Sequence, residues 1–294
     1  MRWILDPFHF EFMQRALLGC ILIGFTNGFL SAFIVLRRMA LLADALSHSL
    51  LPGLAIGAIF FGLAPMGLFF GAVSAAAMVA LGGQLLSRSS RLKDDTAIAA
   101  LYTIAFALGI LLLNYSRVRV DLHHFLFGNI LGLTDLDLWI SYGISALTLL
   151  VLISQQRALL LTLFDATVAK SQGVPVTRLL YLLMILMVLA MISSLQAVGV
   201  VLSLGLLVLP GATVYLWCDS FDAMAWGGGV IGMIGSCAGL LISYWTNIGS
   251  GPAIVLVLGL FLLASYLFSP RYGILIRLLK PKHLHEESLA RWRS

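Results

Sequence analysis

The sequence predicts an all-α protein, a polytopic membrane bundle of about nine helices (eight to ten), and three observations carry that reading. First, 61% of the 294 residues are hydrophobic and only 11% are charged, under half the share of about 25% usual in globular domains. Second, the mean hydropathy is +1.02. Third, the charged residues fall in clusters separated by apolar stretches. Those stretches match the roughly 20 residues a helix needs to cross a hydrocarbon core about 30 Å thick. A soluble enzyme of this length could not cover its surface with 18 basic and 13 acidic side chains. The net charge of +5 is scattered without a basic run, which argues against nucleic-acid binding, and the apolar content excludes disorder.

Read in order, residues 16–36 form one crossing. Residues 45–87 form two, with a turn at Gly62-Leu63-Ala64-Pro65. Residues 96–116 and 138–156 give one each. Residues 179–218 are long enough for two, broken at the polar Ser193-Ser194-Leu195-Gln196, and residues 223–270 for two more, broken between Asn247 and Pro252. The apolar piece 158–164 is too short to cross and lies flat or re-enters. GxxxG pairs stand at Gly24/Gly28, Gly53/Gly57, Gly67/Gly71, Gly228/Gly232 and Gly235/Gly239. Small residues let helix backbones approach where lipid supplies no hydrophobic drive between them. The transmembrane domain is expected over 1–280 and a cytoplasmic tail over 281–294.

Lys and Arg stay on the cytoplasmic side. With nine spans, a cytoplasmic C-terminus places 14 of the 18 inside and leaves Arg2, Arg15, Arg117 and Arg119 outside. The N-terminus is therefore expected outside and the C-terminus in the cytoplasm. The box Leu17-Leu18-Gly19-Cys20 resembles a lipoprotein cleavage site, but Asp6, Glu11 and Arg15 stand where a signal peptide needs an apolar region. Cys20, Cys218 and Cys237 sit apart in apolar stretches and read as buried small residues.

An ionisable side chain inside a span is costly and marks a functional hypothesis. The second span contains Asp44 and His48 in the string LLADALSHSLLPG over residues 41–53. Their i, i+4 spacing puts both on one helix face, about 9 and 15 Å along the axis from Arg38. Pro52 has no N–H for the His48 carbonyl, and Gly53 is expected to loosen the backbone further, so a kink is expected at Pro52 and Gly53. Carboxylate with imidazole suits first-row divalent metals. A pair locking two helices and a proton relay fit the same residues. Two ligands are too few for a metal, and a symmetric homodimer with this face on its axis would double them.

Two further segments carry chemistry. In the loop after the fourth span, Asp121, His123 and His124 suit either a metal entrance or a solvated interfacial segment. On the other side, residues 164–175 form a short amphipathic piece ending in Gly173 and Pro175, an interfacial helix with a C-terminal stop or a plain connector. No lysine follows a glycine, so no GxxxxGK[ST] nucleotide loop exists, and HExxH and GxSxG are absent.

Several strings resemble the permease subunits of the bacterial ABC importers for zinc, manganese and iron. They are FMQRALL at 12–18, VLRRMALLADALSHSLLPG at 35–53, RVDL at 119–122 with LFG at 126–128, and Val198-Gly199 through LPGAT at 209–213. The resemblance runs over most of residues 12–270. It implies a vitamin B12-importer-like fold and a homodimer in the bacterial cytoplasmic (inner) membrane, working with a separate ATP-binding subunit and an extracytoplasmic metal-binding protein. It implies no cofactor, the metal being cargo. It carries Asp44 and His48 over as residues of the metal path, and the segment with Asp165, Ala169 and Gly173 as the coupling helix that docks on the ATPase. The sequence departs from the common pattern at Ala43, where glycine is usual, and at Gly211, where alanine is frequent. An ATP-independent secondary cation transporter or channel is the alternative, and a membrane enzyme is disfavoured by the missing motifs.

Overall fold

The computed structural model describes residues 9–62, 65–115, 130, 134–270 and 272–275. Among them are eleven helices and no strand. They are α1 (Glu11–Arg37), α2 (Ala40–Phe61), α3 (Pro65–Ser89), α4 (Asp94–Tyr115), α5 (Asp135–Ser154), α6 (Gln156–Phe164), α7 (Ala166–Ser171), α8 (Val176–Val198), α9 (Val200–Tyr215), α10 (Phe221–Thr246) and α11 (Ser250–Phe268). Every expected crossing has its helix. Eight of them are long and apolar enough to cross a membrane. The ninth, α9, has 16 residues and reaches about 24 Å, short of a full crossing. The piece at 158–164 belongs to the nine-residue α6.

One break moves. It was expected at Ser193–Gln196 and falls at Gly199, whose φ of 86° ends α8 and opens α9. The serines do not interrupt the helix because Ser194 Oγ donates to the Ala190 and Met191 carbonyls within it, at 3.0 and 2.9 Å. The other breaks stand where turn chemistry puts them. Gly62, at φ 65°, closes α2. Asn247, at φ 53°, closes α10, and Pro252 stands in the first turn of α11, where a missing N–H costs nothing.

The glycine pairs meet one another. A Cβ on Gly24 would lie 2.7 Å from the Gly232 carbonyl oxygen, and one on Gly28 would overlap the Gly228 carbonyl, so α1 and α10 touch backbone to backbone. Gly53 and Gly57 of α2 meet Gly71 and Gly67 of α3 in the same way. Gly235 and Gly239 receive Leu258 and Ile254 of α11. Beside the α1–α10 seam runs an aromatic ladder, with Phe29 edge-on to Trp226 at 5.4 Å and Phe33 edge-on to Phe221 at 4.7 Å. The two departures are both interior. Ala43 is fully buried, and the bare Cα of Gly211 fits against Ser31.

Polar contacts concentrate at the helix ends. At one end Arg15 bonds Glu11 at 2.7 Å and reaches Asp135 at 3.1 Å, tying α1 to α5. Thr134 and Asp137 close a capping box on α5. At the other end Gln156 donates to Asp222, and Ser269 to the Leu216 carbonyl. The three cysteines are free. The proposed tail at 281–294 lies outside the described residues.

Candidate functional site

The chain leaves α1 through Arg38 in the left-handed region (φ 58°) and enters α2 at Ala40. Asp44 and His48 stand on its first turns. His48 Nε2 is 3.6 Å from Asp44 Oδ1, longer than the 2.7–3.2 Å of a hydrogen bond to nitrogen. The His48 side chain is 34% exposed and that of Asp44 40%. The two groups belong to one helix, so their pairing joins no second helix. A pair made to lock the bundle would be buried and closed. This one is partly exposed, and its N–O distance is too long for a hydrogen bond.

The rest of the site comes from α4. The Tyr102 ring stacks on His48 at 6.0 Å with 21° between planes, and Phe106 meets the imidazole edge-on at 5.3 Å. Asp44 and Tyr102 line a cavity of about 90 Å³ with Leu42 and Ile98. Tyr102 and Phe106 escaped the sequence reading. Their i, i+4 spacing in an otherwise aliphatic span repeats that of Asp44 and His48, and this was the available signal.

The predicted kink takes another form. The helix runs unbroken from Ala40 to Phe61 through Pro52. The bare Cα of Gly53 is where the α3 backbone crosses at Gly71. Gly109 of α4 meets Pro52 in turn, a Cβ there falling 2.8 Å from the Pro52 nitrogen. Two glycines thus clamp the proline turn, one turn beyond His48.

Among the described residues no three His, Cys, Asp or Glu come together as a metal-binding group. Among the described residues one chain therefore offers Asp44 and His48 at this site without a third ligand. Asp121, His123 and His124 lie outside the described residues. The segment at 165–175 folds as the predicted short helix with both ends capped. Asp165 Oδ1 accepts from Thr167 N and Val168 N at 2.9 and 3.0 Å. Ala169 is buried, and Gly173, at φ 77°, ends the turn with its N–H on the Lys170 carbonyl at 3.0 Å.

A helical bundle in which eight helices are long and apolar enough to cross a membrane defines a multi-pass membrane protein. Comparison with known proteins gives the family. The model of the ABC 3 transport family matches residues 9–269, and the chain belongs to that family. It is 41% identical to the manganese transport system membrane protein MntC of Halalkalibacterium halodurans, over 95% of this chain and 94% of that protein. It is 35% identical to the chelated iron transport system membrane protein YfeD of Yersinia pestis, over 90% and 88%. Its fold superposes on a chain of PsaBC from Streptococcus pneumoniae, solved with an Fab, with a TM-score of 0.84 and 36% identity, covering 94% of this chain and 99% of that one. The chain is thus a permease subunit of an ABC transporter and is not itself the ATPase, in keeping with the missing nucleotide loop.

Proposed function

We propose that this chain forms the membrane path of an importer for a divalent first-row metal ion, with manganese placed first and iron second. The observation that carries the proposal is the Asp44–His48 pair, open, unlocked and backed by aromatic rings on α4. Carboxylate oxygen suits manganese, and imidazole extends the range to iron and zinc. The names of the similar proteins, two for manganese or iron transport, support the same order.

Two ligands per chain need a complement. A homodimer with the α2 faces opposed supplies two carboxylates and two imidazoles, enough to replace most of a hydrated ion's shell while it passes. Metal reaches this site from an extracytoplasmic metal-binding protein, with Asp121, His123 and His124 at the entrance. The partition of Lys and Arg supports an outer N-terminus and a cytoplasmic C-terminus. The helix capped by Asp165 and Gly173 then faces the cytoplasm with Lys170 exposed, and it docks on the separate ATP-binding subunit that powers the cycle.

The test pairs two readouts on one variant. Asp44→Asn keeps the shape and removes two charges from the dimer, so uptake of labelled manganese falls to background while thermal stability in detergent is unchanged. Unchanged uptake in this variant would falsify the metal role. Purified chain that moves metal at the full rate without an ATPase subunit sinks the ABC mechanism in favour of a secondary transporter.

A further inference from the structure

A second cavity adjoins the first. It lies where the α1–α2 turn, the last turns of α3 and the first turns of α4 and α8 converge, and its volume is about 550 Å³. Arg37, Arg38 and Lys93 supply three positive charges to it, and Gln84 and Met184 form part of its wall. Leu42 and Ile98 line both this cavity and the one beside Asp44.

Two features point to an absent anion. None of the three cations forms an ion pair among the described residues. Arg38 holds the left-handed backbone position after α1, where glycine or asparagine is the low-strain choice. A long cation is kept there at a cost in backbone strain.

We propose that this cavity holds the phosphate of an anionic phospholipid, with the headgroup among Arg37, Arg38 and Lys93 and the glycerol end against Met39, Leu180 and Met184. Cations clustered around one concavity favour a phosphate, which accepts several charge-assisted bonds at once. Basic pockets between membrane helices at headgroup level hold anionic lipids by this means. A free phosphate shares that chemistry but leaves most of the volume and the apolar wall empty. A lipid fills both. The bound phosphodiester, with its single negative charge, offsets part of the positive charge of Arg37, Arg38 and Lys93 one cavity away from Asp44. The site stands on this geometry and does not require that the cargo be a metal.

The test uses the full chain in nanodiscs of phosphatidylcholine with or without phosphatidylglycerol, reading retained lipid by native mass spectrometry and the melting temperature in parallel. Phosphatidylglycerol is expected to stay bound and raise the melting temperature, and inorganic phosphate added to phosphatidylcholine discs is expected to do neither. The triple variant R37Q/R38Q/K93Q weakens phosphatidylglycerol binding on the order of a hundredfold, about fivefold for each lost charge. R91Q/R157Q, two exposed cations outside the cavity, leaves the retained lipid in place. R38G relieves the strained backbone, so it keeps or raises the melting temperature in phosphatidylcholine and still weakens phosphatidylglycerol binding. Equal behaviour in the two lipids overturns the proposal, as does inorganic phosphate reproducing the lipid effect. So does a triple variant that loses stability equally in both lipids.

Discussion

The α1–α10 seam and the α2–α4 seam are both crossings with glycine at the contact, yet they are packed to opposite ends. Between α1 and α10, glycine faces glycine over two turns, and the Phe29–Trp226 and Phe33–Phe221 contacts close the flank. Between α2 and α4 a single glycine, Gly109, closes on Pro52. Cavities open along this seam, the small one at Asp44 and an apolar one of about 340 Å³ lined by Pro52, Ile56, Leu101 and Leu108. The lesson is one of allocation. Backbone contact is concentrated between α1 and α10, and packing is looser beside the helix that carries Asp44 and His48.

The comparison can be broken hardest at Gly28. Gly28→Leu drives a side chain into the Gly228 backbone, and overpacking of this kind costs about 3 kcal/mol or more. Folded protein should be lost from the monodisperse peak in size-exclusion chromatography. Gly259→Leu, on α11 with nothing within 4 Å of its Cβ position, should leave that peak intact. Equal damage at both positions would mean that any bulky residue in the bundle is harmful and that the α1–α10 seam is not special.

The opposite seam should respond in transport before it responds in stability. His48→Ala removes the imidazole from a half-exposed site, so labelled-manganese uptake should fall to background with the melting temperature unchanged. Tyr102→Ala takes away the ring stacked on that imidazole and should lower uptake several-fold while metal preference broadens. Tyr102→Phe keeps the ring and should restore most of the rate. A melting temperature that falls in step with uptake in these variants would make the α2–α4 seam as structural as the α1–α10 seam. The smallest effect is expected outside both seams. Asp165→Ala removes two cap hydrogen bonds from α7, at about 1 kcal/mol locally. ATPase stimulation in the assembled complex should weaken while the isolated chain melts as before.

Much of this was legible because the bilayer imposes its own arithmetic. The gaps between charges matched the nine apolar helices, and the turn residues Gly62, Asn247 and Gly173 stood where the breaks fell. The break at Gly199 was misplaced by reading serine as a loop signal. Inside a membrane a serine hydroxyl bonds back to its own helix, as Ser194 does, so polarity alone ends nothing. Asp44 and His48 were visible because an acid in an apolar run has few explanations. Tyr102 and Phe106 were not, because aromatic residues in an apolar span look like any lipid-facing side chain until a partner helix is assigned.

By itself the sequence determined that the chain lives in a membrane, where its apolar helices lie, and that one span carries an acid and an imidazole on the same face. These follow from local rules, since length, charge spacing and helical periodicity need no knowledge of neighbours. Only the tertiary structure decided which glycines meet, since GxxxG at five places allows many pairings and backbone contact selects one. It alone set α4 beside α2, so that Tyr102 and Phe106 face His48 and Gly109 clamps Pro52. It alone gathered Arg37, Arg38 and Lys93 around one cavity, because charges more than fifty residues apart along the chain become neighbours only when helix ends converge.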